Sequence, residues 1–180
     1  FNIFCIAQFD HCSTIVKHRK NANQTWEYTP ISLDANSSNE NLLKLDMKVE
    51  RIGRGDFALS GSVEINADFG DNDSYRSSTG GNDYKIVPFR VKKQTIKEFL
   101  GTTYKTYLMT DIRDCSDAPQ AEGNELPVVE KKTYTFSKCK ISTENLPSYM
   151  MPGYYKVNAI ISGTLDAVLE LIVEVTEKAS

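Results

Sequence analysis

Two alternating runs joined by a turn constrain this chain more than any other feature. Leu43, Leu45, Met47 and Val49 alternate with Lys44, Asp46, Lys48 and Glu50. A two-residue period sends successive side chains to opposite faces of a strand, so one face is apolar and the other charged. Gly53-Arg54-Gly55-Asp56 interrupts the run, and a second one follows. In it Phe57, Leu59, Val63, Ile65, Ala67 and Phe69 share one phase, and Ser60, Ser62, Glu64, Asn66 and Asp68 share the other. Two such runs about a Gly-rich turn predict a long antiparallel hairpin. Gly61 falls on the apolar phase, where a bulge or bend is expected. Arg54-Gly55-Asp56 also spells an integrin-type tripeptide, but turn chemistry explains it: Gly supplies a positive φ and Asp caps the turn.

The rest of the chain is dominated by strand patterns. Trp26 and Tyr28 alternate, then the phase changes at Pro30 before Ile31 and Leu33, as in a broken or edge strand. Residues 34–41 are polar and predict a loop, as do residues 70–83. Residues 84–91 return to strand composition. Ile96, Phe99, Leu100, Thr103, Tyr107 and Leu108 switch to helical spacing, and Thr95-Ile96-Lys97-Glu98 fits a capping box. Gly101 weakens that helix by about 1 kcal/mol, so packing must hold it. Residues 111–126 predict a loop. Strands follow over 132–141, with a phase slip between Phe136 and Cys139, over Tyr155–Ile161, and over Leu165–Val175. About seven strands and one helix with hairpin connections predict an all-β antiparallel sandwich or cup.

Length and charge narrow the functional classes. The chain has 180 residues, 21 Lys+Arg against 24 Asp+Glu, and a formal net charge of -3. One domain is expected over residues 24–178, after an N-terminal segment over 8–23. Nucleic acid is not an expected partner, because neutralising phosphates needs a clear Lys/Arg excess. Acidic clusters in 70–83 lack the spacing of a calcium loop, so no metal is expected there. The two histidines, His11 and His18, lie in the patternless N-terminal segment. There is no GxSxG, HExxH or phosphate-binding Gly loop. No catalytic residue and no cofactor emerge, and an enzyme is not expected.

Several features point to the secretory pathway. Residues 1–7 read either as the end of a signal-peptide apolar region or as a mature strand. Asn23-Gln24-Thr25, Asn36-Ser37-Ser38 and Asn72-Asp73-Ser74 are N-glycosylation sequons in polar stretches. Cys5, Cys12, Cys115 and Cys139 allow three pairings, and no CxxC supports a zinc or redox motif. Cys115 falls in a polar loop and Cys139 in a strand. A Cys115–Cys139 disulfide is therefore expected, worth about 3 kcal/mol by loop closure.

The C-terminal third carries a recognisable pattern. Thr133-Tyr134-Thr135-Phe136-Ser137-Lys138-Cys139-Lys140-Ile141 precedes Glu144-Asn145-Leu146-Pro147 and then Met151-Pro152-Gly153-Tyr154-Tyr155-Lys156-Val157. This resembles insect secreted proteins of the MD-2-related, GM2-activator-like type. Trp26–Phe69 and Tyr84–Cys115 are similar to insect chemosensory protein B. The sequence departs from that pattern at Ser74-Tyr75-Arg76, where a further strand looks missing or shortened, and its cysteine set is sparse. The resemblance implies an immunoglobulin-like β-cup, secreted, holding a lipid or other apolar small molecule, possible membrane-surface contact, and a receptor or channel protein as a possible partner. The alternative is a closed sandwich that binds a protein and holds no ligand.

At the mouth of such a cup the candidate ligand-binding residues are Leu146, Tyr149, Met150 and Met151, between Pro147 and Pro152. Met adapts to varied apolar shapes. Consecutive Tyr-Met-Met residues in an irregular segment cannot all point inward, so at least one should sit at the surface. The helix adds Phe99, Leu100, Tyr107 and Leu108, for which simple closure of the core is the favoured reading.

Overall fold

The computed structural model describes residues 24–79, 90–144 and 146–178. Cys5, Cys12, His11, His18, Asn23 and the expected strand over 84–89 lie outside them. The described residues form eight strands in two antiparallel sheets. The strands are β1 (Trp26–Ser37), β2 (Leu43–Gly53), β3 (Asp56–Ile65), β4 (Ser74–Thr79), β5 (Val91–Thr95), β6 (Thr133–Cys139), β7 (Gly153–Ser162) and β8 (Ala167–Glu177). One sheet runs β1-β8-β7-β4-β5 and the other β2-β3-β6. The fold is an all-β sandwich with one short helical segment.

The alternating runs pair as expected: Leu43 faces Ile65, and the register continues to Arg51 opposite Phe57. Gly55 takes the turn with φ 73°. Asp56 is held by Lys140, whose ammonium lies 2.7 Å from one carboxylate oxygen and 2.8 Å from the other. That pairing supports the turn reading of the Arg-Gly-Asp tripeptide. Gly61 has φ 140°, and a Cβ there would lie 2.0 Å from the Asp46 carbonyl oxygen, so only glycine fits. The ladder between β3 and β6 shifts at the same place, and Lys138 takes the extra residue with φ 57°. The slip between Phe136 and Cys139 is therefore a β-bulge.

Three sequence expectations are corrected. The loop expected over 34–41 begins later, because β1 runs to Ser37 along β8, and its polar residues Asp34 and Asn36 face solvent. The strand expected to be missing near Ser74 is β4, which lies between β7 and β5. Its Ser-rich composition carries little apolar signal, Tyr75 being its one large apolar residue. Hydrogen bonding from both neighbours fixes it instead. Val91–Thr95, read as the end of a strand and a cap, forms β5.

The helical segment starts as expected. The Thr95 side chain accepts from the Glu98 N–H at 3.2 Å, and Glu98 accepts from the Thr95 N–H at 2.9 Å. Residues Ile96–Phe99 form helix α1, Leu100–Tyr104 a π-helical turn and Lys105–Tyr107 helix α2. The wide turn contains Gly101, whose missing side chain leaves room for Leu126; a Cβ there would lie 2.9 Å from it. Phe99 stacks on Tyr75 at 4.0 Å between ring centroids, which docks the segment against β4. Cys115 and Cys139 are disulfide-bonded, with Cα atoms 5.4 Å apart. The bridge ties the loop after the helix to the end of β6.

Candidate functional site: the space between the sheets

Paired residues in an antiparallel ladder share a face, so the register identifies every inward position. On the five-stranded sheet the inward rows are Tyr28–Val175–Gly153, Pro30–Val173–Tyr155, Leu33–Leu171–Val157, Ala35–Leu169–Ala159 and Ser37–Ala167–Ile161. On the other sheet they include Leu43–Ile65, Leu45–Val63–Tyr134 and Val49–Leu59–Cys139.

Burial along these rows is uneven. At one end Leu43, Ile65, Tyr134, Leu165 and Ala167 form one buried cluster drawn from both sheets. Toward the other end two further clusters form. Trp26, Tyr155, Val173 and Val175 pack with Tyr28, Leu146 and Met150. Tyr104, Met109, Ile112 and Ala118 pack on Cys139 with Leu100, Leu108 and Ile141; Phe136 links this cluster to the first, and Phe99 reaches across to Tyr75 of the other sheet. Leu33, Ala35, Met47, Val157, Ala159 and Leu169 lie between the ends, and Val49 and Leu59 lie level with Cys139; all are partly accessible and belong to none of these three clusters.

The end with two clusters is held by hydrogen bonds. Tyr28 projects inward from β1, and its hydroxyl donates to the Ile141 carbonyl just past β6, at 2.8 Å. This bond spans from one sheet to the other. Burial first, then the nearby Asp111 carboxylate, pushes the Tyr28 hydroxyl up to about 12. Surface clefts lie on either side of the bond. One of about 340 Å³ is lined by Gln24, Glu27, Tyr28, Ser142 and Lys178 among others. One of about 220 Å³ is lined by Tyr28, Pro30, Phe57, Lys140 and Ile141 among others.

The loop over 142–152 forms the rim of this end and is anchored through its backbone. The Trp26 indole donates to the Pro147 carbonyl at 2.8 Å, and the Tyr155 hydroxyl to the Met151 carbonyl at 2.5 Å. The Gln24 amide donates to the Thr143 carbonyl at 3.1 Å. With its backbone held this way, the loop sorts its large side chains. Leu146 and Met150 turn in against Trp26 and Tyr155. Tyr149 and Met151 stay 65% and 54% exposed, and Tyr154 beside them is 52% exposed.

Of the residues singled out in the sequence, the loop set and the helix set pack in different clusters. Phe99 stacks on Tyr75, and Leu100 and Leu108 support the disulfide region; Tyr107 is half-buried. Asn36 and Asn72 are exposed, and both lie near the β7–β8 turn, at the end opposite the rim.

Sequence reasoning missed Tyr28, Ile141 and Trp26 as organisers of the rim; the Trp26–Tyr28 alternation was their visible signal. It also missed Asp73. This carboxylate is 1% exposed and accepts from the Gly70 N–H at 2.6 Å and from the Thr164 N–H. It clamps the turn before β4 to the β7–β8 turn. Among the described residues, no group of His, Cys, Asp and Glu is placed to hold a metal ion, and no helix is long and apolar enough to cross a membrane.

Residues 73–157 match the model of a family described as "Protein of unknown function (DUF1091)". The match starts at the Asp73 clamp and takes in β4, β5, the helical segment, the disulfide, β6 and the 142–152 loop. No curated protein matches the sequence significantly.

Proposed function

We propose that this protein is a secreted carrier that holds a lipid or other apolar small molecule between its two sheets and does no chemistry on it. One observation carries the reading. Apolar side chains facing inward from the middle of both sheets remain partly accessible, while both ends of the sandwich are packed. A filled sandwich interdigitates its inner faces throughout. A ligand pocket instead needs a concave, mostly apolar space with few polar groups. Leu33, Met47, Val49, Leu59 and Leu169 are the residues such a ligand would touch.

The loop residues Leu146, Tyr149, Met150 and Met151 then form the rim by which it enters, and the exposed Tyr149 and Met151 are suited to touching a membrane surface. The sequons at Asn23, Asn36 and Asn72 and the disulfide accord with a secreted protein. The resemblance to insect chemosensory protein B and to MD-2-related, GM2-activator-like proteins is the ground for proposing a role in chemosensation, in taste or pheromone detection, with a receptor or channel as recipient.

Native mass spectrometry of the secreted protein, before and after exposure to extracted lipids, tests the reading. A lipid adduct of defined mass is expected. If no lipid co-purifies and none adds, the carrier reading fails and a closed interaction module takes its place.

A further inference from the structure

The far edge of the five-stranded sheet concentrates positive charge. β5 ends the strand order β1-β8-β7-β4-β5, so among the described residues no strand pairs with its outer edge. Tyr75 pairs with Gln94 and Ser77 with Val91, with a register shift between them. Arg76 therefore opposes two residues, Lys92 and Lys93, across a bulge. Arg90 precedes the strand and Lys97 starts the helix that follows it. All five cations are exposed. No carboxylate among the described residues lies in ion-pair range of any of them. Glu98, the one acid in residues 90–98, is turned back into the capping box.

Like charges placed directly opposite on a sheet oppose its pairing. Edge lysines alone are a common guard against edge-to-edge aggregation. Arg76 is not on the edge strand, however, and it adds to the repulsion rather than guarding anything. In a chain of net charge -3, this corner stands out against an acidic remainder.

We infer that the β5 edge is a docking surface for an acidic, extended segment of a partner protein. The segment would add as a further strand, its main chain pairing with the outer edge of β5 and its carboxylates meeting Arg76, Lys92 and Lys93. A five-residue strand offers about 17 Å of edge for this. A bilayer is the less fitting occupant. Arg76 pairs with Ile160, six residues along β7 from Tyr154 at the apolar rim. That is about 20 Å, well beyond the Debye length of about 8 Å in physiological salt. A membrane that received the rim would not feel this corner. The inference does not depend on a ligand between the sheets.

The test uses a fluorescein-labelled peptide of alternating Glu and Val, read by anisotropy on the intact protein. Binding is expected that weakens as salt rises, with no binding of the matching Lys/Val peptide. Lys92→Glu combined with Lys93→Glu should weaken it at least tenfold, and Arg76→Gln alone should weaken it severalfold without touching the edge. Replacing the Val residues by Pro keeps the charge but limits main-chain pairing, and should also cost at least tenfold. Equal binding of the acidic and basic peptides, or indifference to all of these changes, would overturn the inference. So would a protein that ignores the peptide but sediments with phosphatidylserine vesicles through Lys92 and Lys93, which would make the corner a membrane contact.

Discussion

The two ends of the sandwich are closed by different means. At the end bearing the β7–β8 turn, Leu43, Ile65 and Tyr134 from one sheet meet Leu165 and Ala167 from the other in a single apolar cluster. At the opposite end the Trp26 cluster and the cluster around the disulfide are separate, and the bond from Tyr28 to Ile141 reaches between them, while Phe136 ties the disulfide cluster back to the first. Apolar packing is non-directional and is lost only by creating a cavity or separating the sheets. The hydrogen bonds at this end, each worth a net of about 1 kcal/mol, can break and reform one by one. The comparison teaches where the fold is stabilised most, and it makes the rim the end where the proposed carrier would open.

The largest effect should come from the base. Leu165→Ala removes a side chain that is 1% exposed from the contact between sheets. It should cost about 2–5 kcal/mol, read as a lower denaturation midpoint. Next comes the covalent tie at the rim. Reduction of Cys115–Cys139, or its paired replacement by Ser, should cost about 3 kcal/mol. If the rim is the part that opens, hydrogen exchange should rise there first and leave β2 and β3 protected.

A smaller effect is expected from Tyr28→Phe, about 1 kcal/mol in stability, with faster release of a bound fluorescent fatty-acid analogue. Slower release would reverse the assignment of base and rim. The same residue gives a pH signature. Burial raises the Tyr28 and Tyr104 hydroxyls from 10.0 to about 12, so the folded state binds their protons more tightly. Their contribution is fully present below pH 10.0 and is lost as pH rises through about 12. Urea titrations across that window should show the wild type weakening with pH, and Tyr28→Phe weakening less.

The smallest effect on stability is expected at the rim surface. Met151 is 54% exposed, so Met151→Asp should change stability by less than about 0.5 kcal/mol while reducing lipid uptake. Met150 packs on the Trp26 cluster, so Met150→Asp should destabilise as well. Unchanged uptake in Met151→Asp removes this loop as the entrance.

Much of the fold could be read from period-two alternation. The β2–β3 hairpin, the bulge at Phe136–Cys139, the capping box and the last two strands all announce themselves through side-chain phase. β4 does not, because a strand between two others is held by its backbone, and Ser-Tyr-Arg-Ser-Ser-Thr carries almost no hydrophobic signal. Nor does the end of β1, where Asp34 and Asn36 point to solvent. At the candidate site, alternation shows which residues face inward but not how far apart the facing sheets stand. The loop residues were legible as a group from their Pro brackets. Their sorting into inward Leu146 and Met150 and outward Tyr149 and Met151 depends on anchors from Trp26 and Tyr155, remote in sequence.

The central claim is that space remains between the middles of the two sheets, and filling it tests this most directly. Ala159 faces inward between Ser77 and Leu169. Ala159→Phe places a large side chain there. The account predicts an unchanged or higher melting temperature together with at least a tenfold loss of affinity for the fatty-acid analogue. A fall in stability of the about 1–3 kcal/mol typical of overpacking, with binding unaffected, would contradict it, because the middle would then be a filled core.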